Sequence, residues 1–498
     1  MAPHDASEIS VPSTTPSTTA HADEFREAVQ AGLPVAIADL STLARIPSVS
    51  WDGFDPAHVR ASAEKVAELA RATGVFDTVD VIQEPIPADA VSGAGQQGLP
   101  AVLARRAARN GRPTVLLYAH HDVQPEGNEA DWESTPFEPT LRGDRLYGRG
   151  TADDKAGAIT HIASIRALTS VLAASGSVEP DLGIVLFAEG EEEFGSRSLP
   201  TILEKYSEEL TADVIVVADA GNWDLESPGL TVGLRGAVAF NLRVTTLDHA
   251  SHTPMFGGQV PDAMLAAIRL LATLWNADGS VAVAGLTSHE AETPEYDEAK
   301  LRHETGLLDG VSPIGTGDIL SRAWYQPAIT VTGIDAPTVK NASNTLIPSV
   351  RARVSARVAP GQTAQDYFEL LRTHLLEHAP FGARLEFEDL DLGEAFLVDT
   401  SGWAATDAVE TMQEAYGAPA VEMGSGGSIP FIADLVARYP DAQILITGVE
   451  DPDTRAHSPN ESLHLPTLRR AILAEALLLS RLNSRTLHTA NTSTPVVH

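Results

Sequence analysis

Four short runs in this chain are almost wholly apolar: TVLLYAH (114–120), GIVLFA (183–188), VIVVAD (214–219) and ILITG (444–448). A strand with one wet face alternates apolar and polar residues, so a run that is apolar on both faces has to be covered on both. Between the runs lie helical patterns, such as Ile159, Ile162, Ile165 and Leu168 on one face after Lys155. Strand, helix, strand alternation predicts an α/β fold whose mostly parallel sheet is covered by helices. Two further helices are expected between Glu24 and about Ala72, separated by a break at Ile46-Pro47-Ser48-Val49-Ser50.

The stretch 234–392 follows another rule. Its strands VAFNLRVTT, VRARVSARV and RLEFEDL alternate apolar and polar residues around two helices near 261–276 and 363–379, which predicts an α+β piece with one solvated sheet face. Since α/β character resumes with ILITG and a helix at 466–482, this piece is expected to be inserted in the first domain. The 498 residues then divide into an α/β domain of 23–233 and 393–485, an insert of 234–392, and frayed tails at 1–22 and 486–498.

Composition removes several classes of function. A formal charge of −34 opposes nucleic-acid binding, which needs a basic face. The first residues lack the basic and apolar regions of a signal peptide, and no apolar run approaches bilayer length, so a soluble cytoplasmic protein without a membrane partner is expected. With no cysteine, a metal site would have to use His, Asp and Glu, a donor set that suits zinc, with manganese or cobalt as alternatives.

Such donors fall where α/β sheets place their sites, at the carboxyl ends of parallel strands. His120 and Asp122 end one buried run, Glu192 and Glu193 follow another, and Asp219 ends a third; Asp153 and His457 lie in the loops YGRGTADDKAG and DTRAHSPNES. A pair of divalent cations about 3.5–4 Å apart needs a bridging carboxylate and terminal N/O ligands. His120, Asp153, Glu193, Asp219 and His457 can supply them, and their three negative charges with a bridging hydroxide balance two divalent ions. Asp122, two positions beyond His120, can accept the free N–H of that ring. Glu192 can stand beside the water as general base.

On these segments the chain resembles the M20 metallopeptidases, in their cytosolic dipeptidase and carnosinase-like branch. YAHHDVQP is similar to the family's His-x-Asp segment, GRGTADDKAG to its Asp-x-Lys loop, EGEEEFGS to its Glu-Glu pair, VVADAG to its strand-end acid and RAHSPNES to its late histidine. The resemblance implies His120 and Asp219 on one metal, Glu193 and His457 on the other, Asp153 bridging through a cis Asp153-Asp154 bond, Asp122 as supporting acid and Glu192 as base. It also implies a homodimer through the insert, in which His252 of HTPMFGG stabilises the oxyanion in the partner's site and Arg357 of VSARVAPGQ grips the substrate carboxylate. Where carnosinase-like members carry Arg-Glu before Gly-Gly-Ser-Ile-Pro, this chain has Gly424 and Ser425; Gly427 and Ser428 of that loop are expected to line the pocket. The implied activity is hydrolysis of a small peptide such as a dipeptide by two divalent ions per subunit. An N-acyl-amino-acid amidohydrolase and a non-catalytic scaffold of the same fold are the alternatives.

Overall fold

A computed structural model describes residues 18–487 except 89, 91, 92, 178, 292 and 427–429. All four apolar runs enter one nine-stranded sheet. Its centre is parallel: Thr114–His120 lies between Gly183–Glu189 and Val214–Val217, and Gln443–Ile446 continues beyond the latter. Antiparallel strands Ala101–Arg106 and Thr78–Ile82 extend one edge, while Gly229–Leu234, Val421–Ser425 and Phe396–Leu397 form the other.

Helices cover both faces, which is why the central strands carry no polar stripe. Thr18–Ala44, Lys155–Ala174 and Leu465–Ser484 pack on one side through residues such as Leu40, Ile162, Ile165 and Leu479. The other side buries Leu116, Tyr118, Phe187 and Ile215 beneath Leu199–Lys205 and Pro430–Arg438. The first helix begins at Thr18, inside the stretch read as tail, because Ala22 and Phe25 are drawn into the core. Lys155–Ala174 qualifies for a membrane span by length and hydropathy, contrary to the expectation that no segment would, yet Ile159, Ile162 and Ile165 are packed within the protein.

Residues 236–393 contribute a separate four-stranded antiparallel sheet in the order Ala328–Asp335, Ser349–Val358, Gly236–Thr245, Arg384–Gly393. Helices Ala263–Leu271 and Ala364–Glu377 bury one face through Leu270, Tyr367 and Leu371, and Val238, Phe240 and Leu242 meet them from the central strand. The edge strand Ala328–Asp335 was not anticipated: a bulge between Val331 and Gly333 and mostly exposed side chains erase its alternation.

A small three-stranded sheet positions the site. Ser462–His464, just after the His457 loop, pairs with Arg145–Tyr147, just before the Asp153 loop. Loops separated by about three hundred residues thereby become neighbours.

Candidate metal centre

Asp153 lies at the middle of the acid and histidine cluster. Its Oδ1 is 3.2 Å from His120 Nε2 and its Oδ2 is 2.9 Å from His457 Nε2, so each carboxylate oxygen faces a different imidazole. Asp219 Oδ1 stands 3.8 Å from His120 Nε2, and Glu193 Oε2 stands 3.2 Å from His457 Nε2. The result is two triads sharing one carboxylate, His120–Asp153–Asp219 and Asp153–Glu193–His457, with the donor atoms of each within 4.8 Å of one another. The Asp153–Asp154 peptide bond is cis.

The backbone around each ligand is fixed by groups that face away from the centre. His120 ends its strand, and its N–H donates to Asp154 at 3.0 Å. Gly157 lets the following helix press against that strand end, since a Cβ there would stand 2.2 Å from Asp154 Oδ1 and 2.7 Å from the Ala218 carbonyl. Asp122 is wholly buried and accepts from the N–H groups of Glu192 at 3.2 Å and Glu193 at 3.0 Å, while its Oδ1 lies 3.3 Å from His120 Nδ1. One carboxylate thus orients the histidine and the Glu-Glu turn together. Of the three consecutive glutamates, Glu191 is spent on Ser198 N–H and Arg197, leaving Glu192 and Glu193 toward the cluster. Gln124 Nε2 donates to Glu193 Oε2 at 2.7 Å.

Negative charge is concentrated here. Burial and the carboxylates of Asp219, Glu193 and Asp122 push Glu192 well above the usual range. Burial and the Asp153 charge raise Glu193 as well. Burial would also raise Asp153, but hydrogen bonds from His120 and His457 overcome it and hold that carboxyl well below the usual range. Asp153 and Glu193 in turn push His457 up to about 11. Imidazole nitrogens aimed at carboxylate oxygens from both sides require something positive between them, a proton or a cation. Two divalent ions fit this donor set of nitrogen and oxygen, with Asp153 as the shared ligand.

The sheet of the insert carries Arg357, half-buried on Ser349–Val358. Arg357 pairs with Ala237, two residues beyond a second cation, Arg235, which burial and the Arg357 charge together draw down to about 10. Arg235, which the sequence reading missed, donates to the carbonyls of Arg322, Gln326 and Gly426. Its backbone N–H also donates to Ser425, at the end of the Val421–Ser425 strand. At Gly424 no side chain fits, since a Cβ would stand 2.4 Å from the Trp324 ring. Gly427 and Ser428 lie outside the described residues. His252 is exposed on the short strand Ser251–His252, paired with Thr345, and among the described residues no contact links it to the triads.

Also missed was Glu461. It is fully buried, pairs with Arg149 at 2.6 Å and accepts from Gly150, Ala152 and Asp153 N–H groups at 3.0, 3.0 and 3.2 Å, so it shapes the loop that aims Asp153. Its signal was present in RAHSPNES, where an acid follows the histidine in a segment otherwise built for a turn.

The sequence profile of peptidase family M20/M25/M40 matches residues 116–481, which take in every triad residue. The chain belongs to that family. This M20 protein is a metallopeptidase, and its relatives agree in chemistry. It is 35% identical over 372 residues to a cysteinylglycine-S-conjugate dipeptidase of Corynebacterium striatum, covering 74% of this chain and 80% of that one. It is 25% identical over 470 residues to a Cys-Gly metallodipeptidase of Schizosaccharomyces pombe, covering 90% and 96%. In fold, the M20 chain is similar to a dipeptidase of Saccharomyces cerevisiae (TM-score 0.76, 22% identity, 93% and 99% covered) and to human carnosine dipeptidase 1 (TM-score 0.73, 20% identity, 93% and 99% covered).

Proposed function

We propose that this chain is a cytoplasmic dipeptidase that works with two divalent ions, zinc by its donor set, held by the paired triads. The observation that carries the reading is the division of Asp153 between His120 and His457. Ions bound there would polarise the scissile carbonyl and make a shared water easier to deprotonate. Glu192 binds neither triad and reaches to 3.9 Å of His120, with 17% of its side chain exposed. A carboxylate in that place can take the proton of the attacking water and hand it to the leaving amine. Asp122 holds that base in place through the Glu192 N–H.

Specificity comes from both domains. Two guanidiniums side by side repel one another until an anion arrives, and Arg357 next to Arg235 is suited to the free α-carboxylate of a small peptide. The dimer is proposed on the surface of the insert: Met255 and Phe256, in the short helix that follows His252, and Leu265 and Ile268 of Ala263–Leu271 are exposed, apolar side chains that a second copy would cover while delivering His252 to the other site. Metal analysis coupled to a hydrolysis panel of free and N-acylated dipeptides tests the reading. Two metals per chain with preference for free dipeptides support it. Preference for N-acyl amino acids would replace it with an amidohydrolase.

A further inference from the structure

Asp122 holds the Glu192–Glu193 turn from the inside, accepting both of its N–H groups. Those two bonds fix the amides but leave the flanks of the turn free to tilt, and a tilt would swing both carboxylates away from the histidines. The flanks are Glu191 and Phe194, and Arg197 touches both. Its Nη2 donates to Glu191 Oε2 at 3.3 Å, and its guanidinium carbon lies 4.1 Å from the centre of the Phe194 ring. Only 11% of the arginine side chain is exposed, so the cation is drawn out of water into this position.

The backbone brings Arg197 back over the turn at some cost. Gly195 and Ser196 are both left-handed, with φ of 84° and 49°. Serine takes up that conformation only where its surroundings enforce it. Here Ser196 N–H donates to the Glu191 carbonyl at 2.9 Å and Ser198 N–H to the Glu191 carboxylate at 2.7 Å. On the other side of the turn, the Trp51 ring centre lies 5.0 Å from that of Phe194, with the planes 33° apart. Trp51 follows a segment fastened to the end of the His120 strand, where Ser48 Oγ donates to the His121 carbonyl at 2.7 Å and Val123 N–H donates to the Ser48 carbonyl at 3.1 Å. Phe194 thereby ties the glutamate turn to the histidine strand, with Arg197 closing the bracket.

Stability alone does not require an arginine here. Glu191 already accepts from the N–H groups of Ser198 and, at 3.3 Å, Leu99, and Phe194 already packs on Trp51. A guanidinium adds something else: one planar group serves a carboxylate with its N–H edge and an aromatic ring with its face, and so fixes the angle between them.

We propose that Arg197 is a positioning residue of the reaction: through Glu191 and Phe194 it sets the direction in which Glu192 and Glu193 present their carboxylates. It governs turnover and one metal site while touching neither. This rests on the reading above, with Glu192 as base and Glu193 as ligand.

The test uses the full chain with Arg197→Met, which removes both contacts. Turnover per metal-loaded chain should fall about 10–100-fold with KM unchanged, and titration of the metal-free protein with zinc should show a similar loss on one of the two ions, the one held with His457, while the other binds as in the parent. Arg197→Lys, which keeps the charge, should recover part of both losses. Combined with Phe194→Leu, Arg197→Met should cost little more than the larger single loss, because both act through one turn. A role in stability alone would lower the unfolding temperature and leave kcat per loaded chain and the zinc titration as they were, which would overturn the proposal. So would a loss confined to KM, equal weakening of both ions, or additive losses. If Arg197→Met does not fold, Arg197→Lys and Phe194→Leu decide by the same readouts. Failure of the underlying reading shows elsewhere: a parent that prefers N-acyl amino acids is assayed on those, and full turnover by loaded Glu192→Ala would remove the base while the zinc titration still decides whether Arg197 positions Glu193.

Discussion

The Arg149 guanidinium lies 2.6 Å from the Glu461 carboxylate, with 1% and 0% of the two side chains exposed. Removing one member of such a pair strands the other charge without water. Arg149→Ala is therefore expected to cost about 3–5 kcal/mol in denaturant unfolding and to weaken metal binding, because Glu461 also fixes the Asp153 backbone. A loss below about 1 kcal/mol would mean that water reaches the pair after all.

Beneath the centre, His161 Nδ1 is 3.0 Å from both carboxylate oxygens of Glu475 and Nε2 is 2.9 Å from the Tyr118 carbonyl. Burial opposes a charge on this ring, but Glu475 outweighs it and raises its pKa. A proton held more tightly in the folded state adds stability that is complete below the ordinary histidine value of about 6.5 and is lost as pH rises through the elevated one. The stability advantage of the parent over His161→Gln should accordingly shrink as pH is raised above about 6.5. An advantage that grows with pH would contradict the charged pair.

Ligand variants should separate by metal count. Asp153→Asn, which weakens the carboxylate shared by both triads, should release both ions, whereas Asp219→Asn should release the one on the His120 side and keep the other. Elemental analysis after dialysis reads this directly. Equal retention in both variants would show that Asp153 does not bridge.

Much of this arrangement was legible in the chain itself, for a physical reason. Val115, Leu117, Ile184 and Val216 are buried on one sheet face and Leu116, Val185 and Ile215 on the other, so their runs stood out, and a polar residue ending such a run had to sit at a strand end. That located His120 and Asp219. What stayed hidden depends on contacts between distant segments. Glu461 looks like an ordinary loop acid until Ser462–His464 pairs with Arg145–Tyr147. Arg235 looks like a turn residue until the carbonyls of Arg322, Gln326 and Gly426 converge on it. No periodicity carries that information.

If His252 acts across a dimer, two inactive variants should repair one another. Glu192→Ala mixed with His252→Ala should regain part of the activity once subunits exchange, because one site in each mixed dimer has both residues intact. His252→Ala alone should lower turnover by about 10²–10³-fold with metals retained. A monomer in solution, or no recovery after verified exchange, would leave His252 a residue of the insert surface.

The most direct test of the central claim is turnover of a dipeptide by Glu192→Ala per metal-loaded chain. Glu192 lies beside the triads without belonging to either, so both ions should remain while turnover falls by about 10²–10⁴-fold. Parental turnover in a fully loaded variant, or loss of the ions along with activity, would contradict the assignment of Glu192 as the base of a two-metal peptidase.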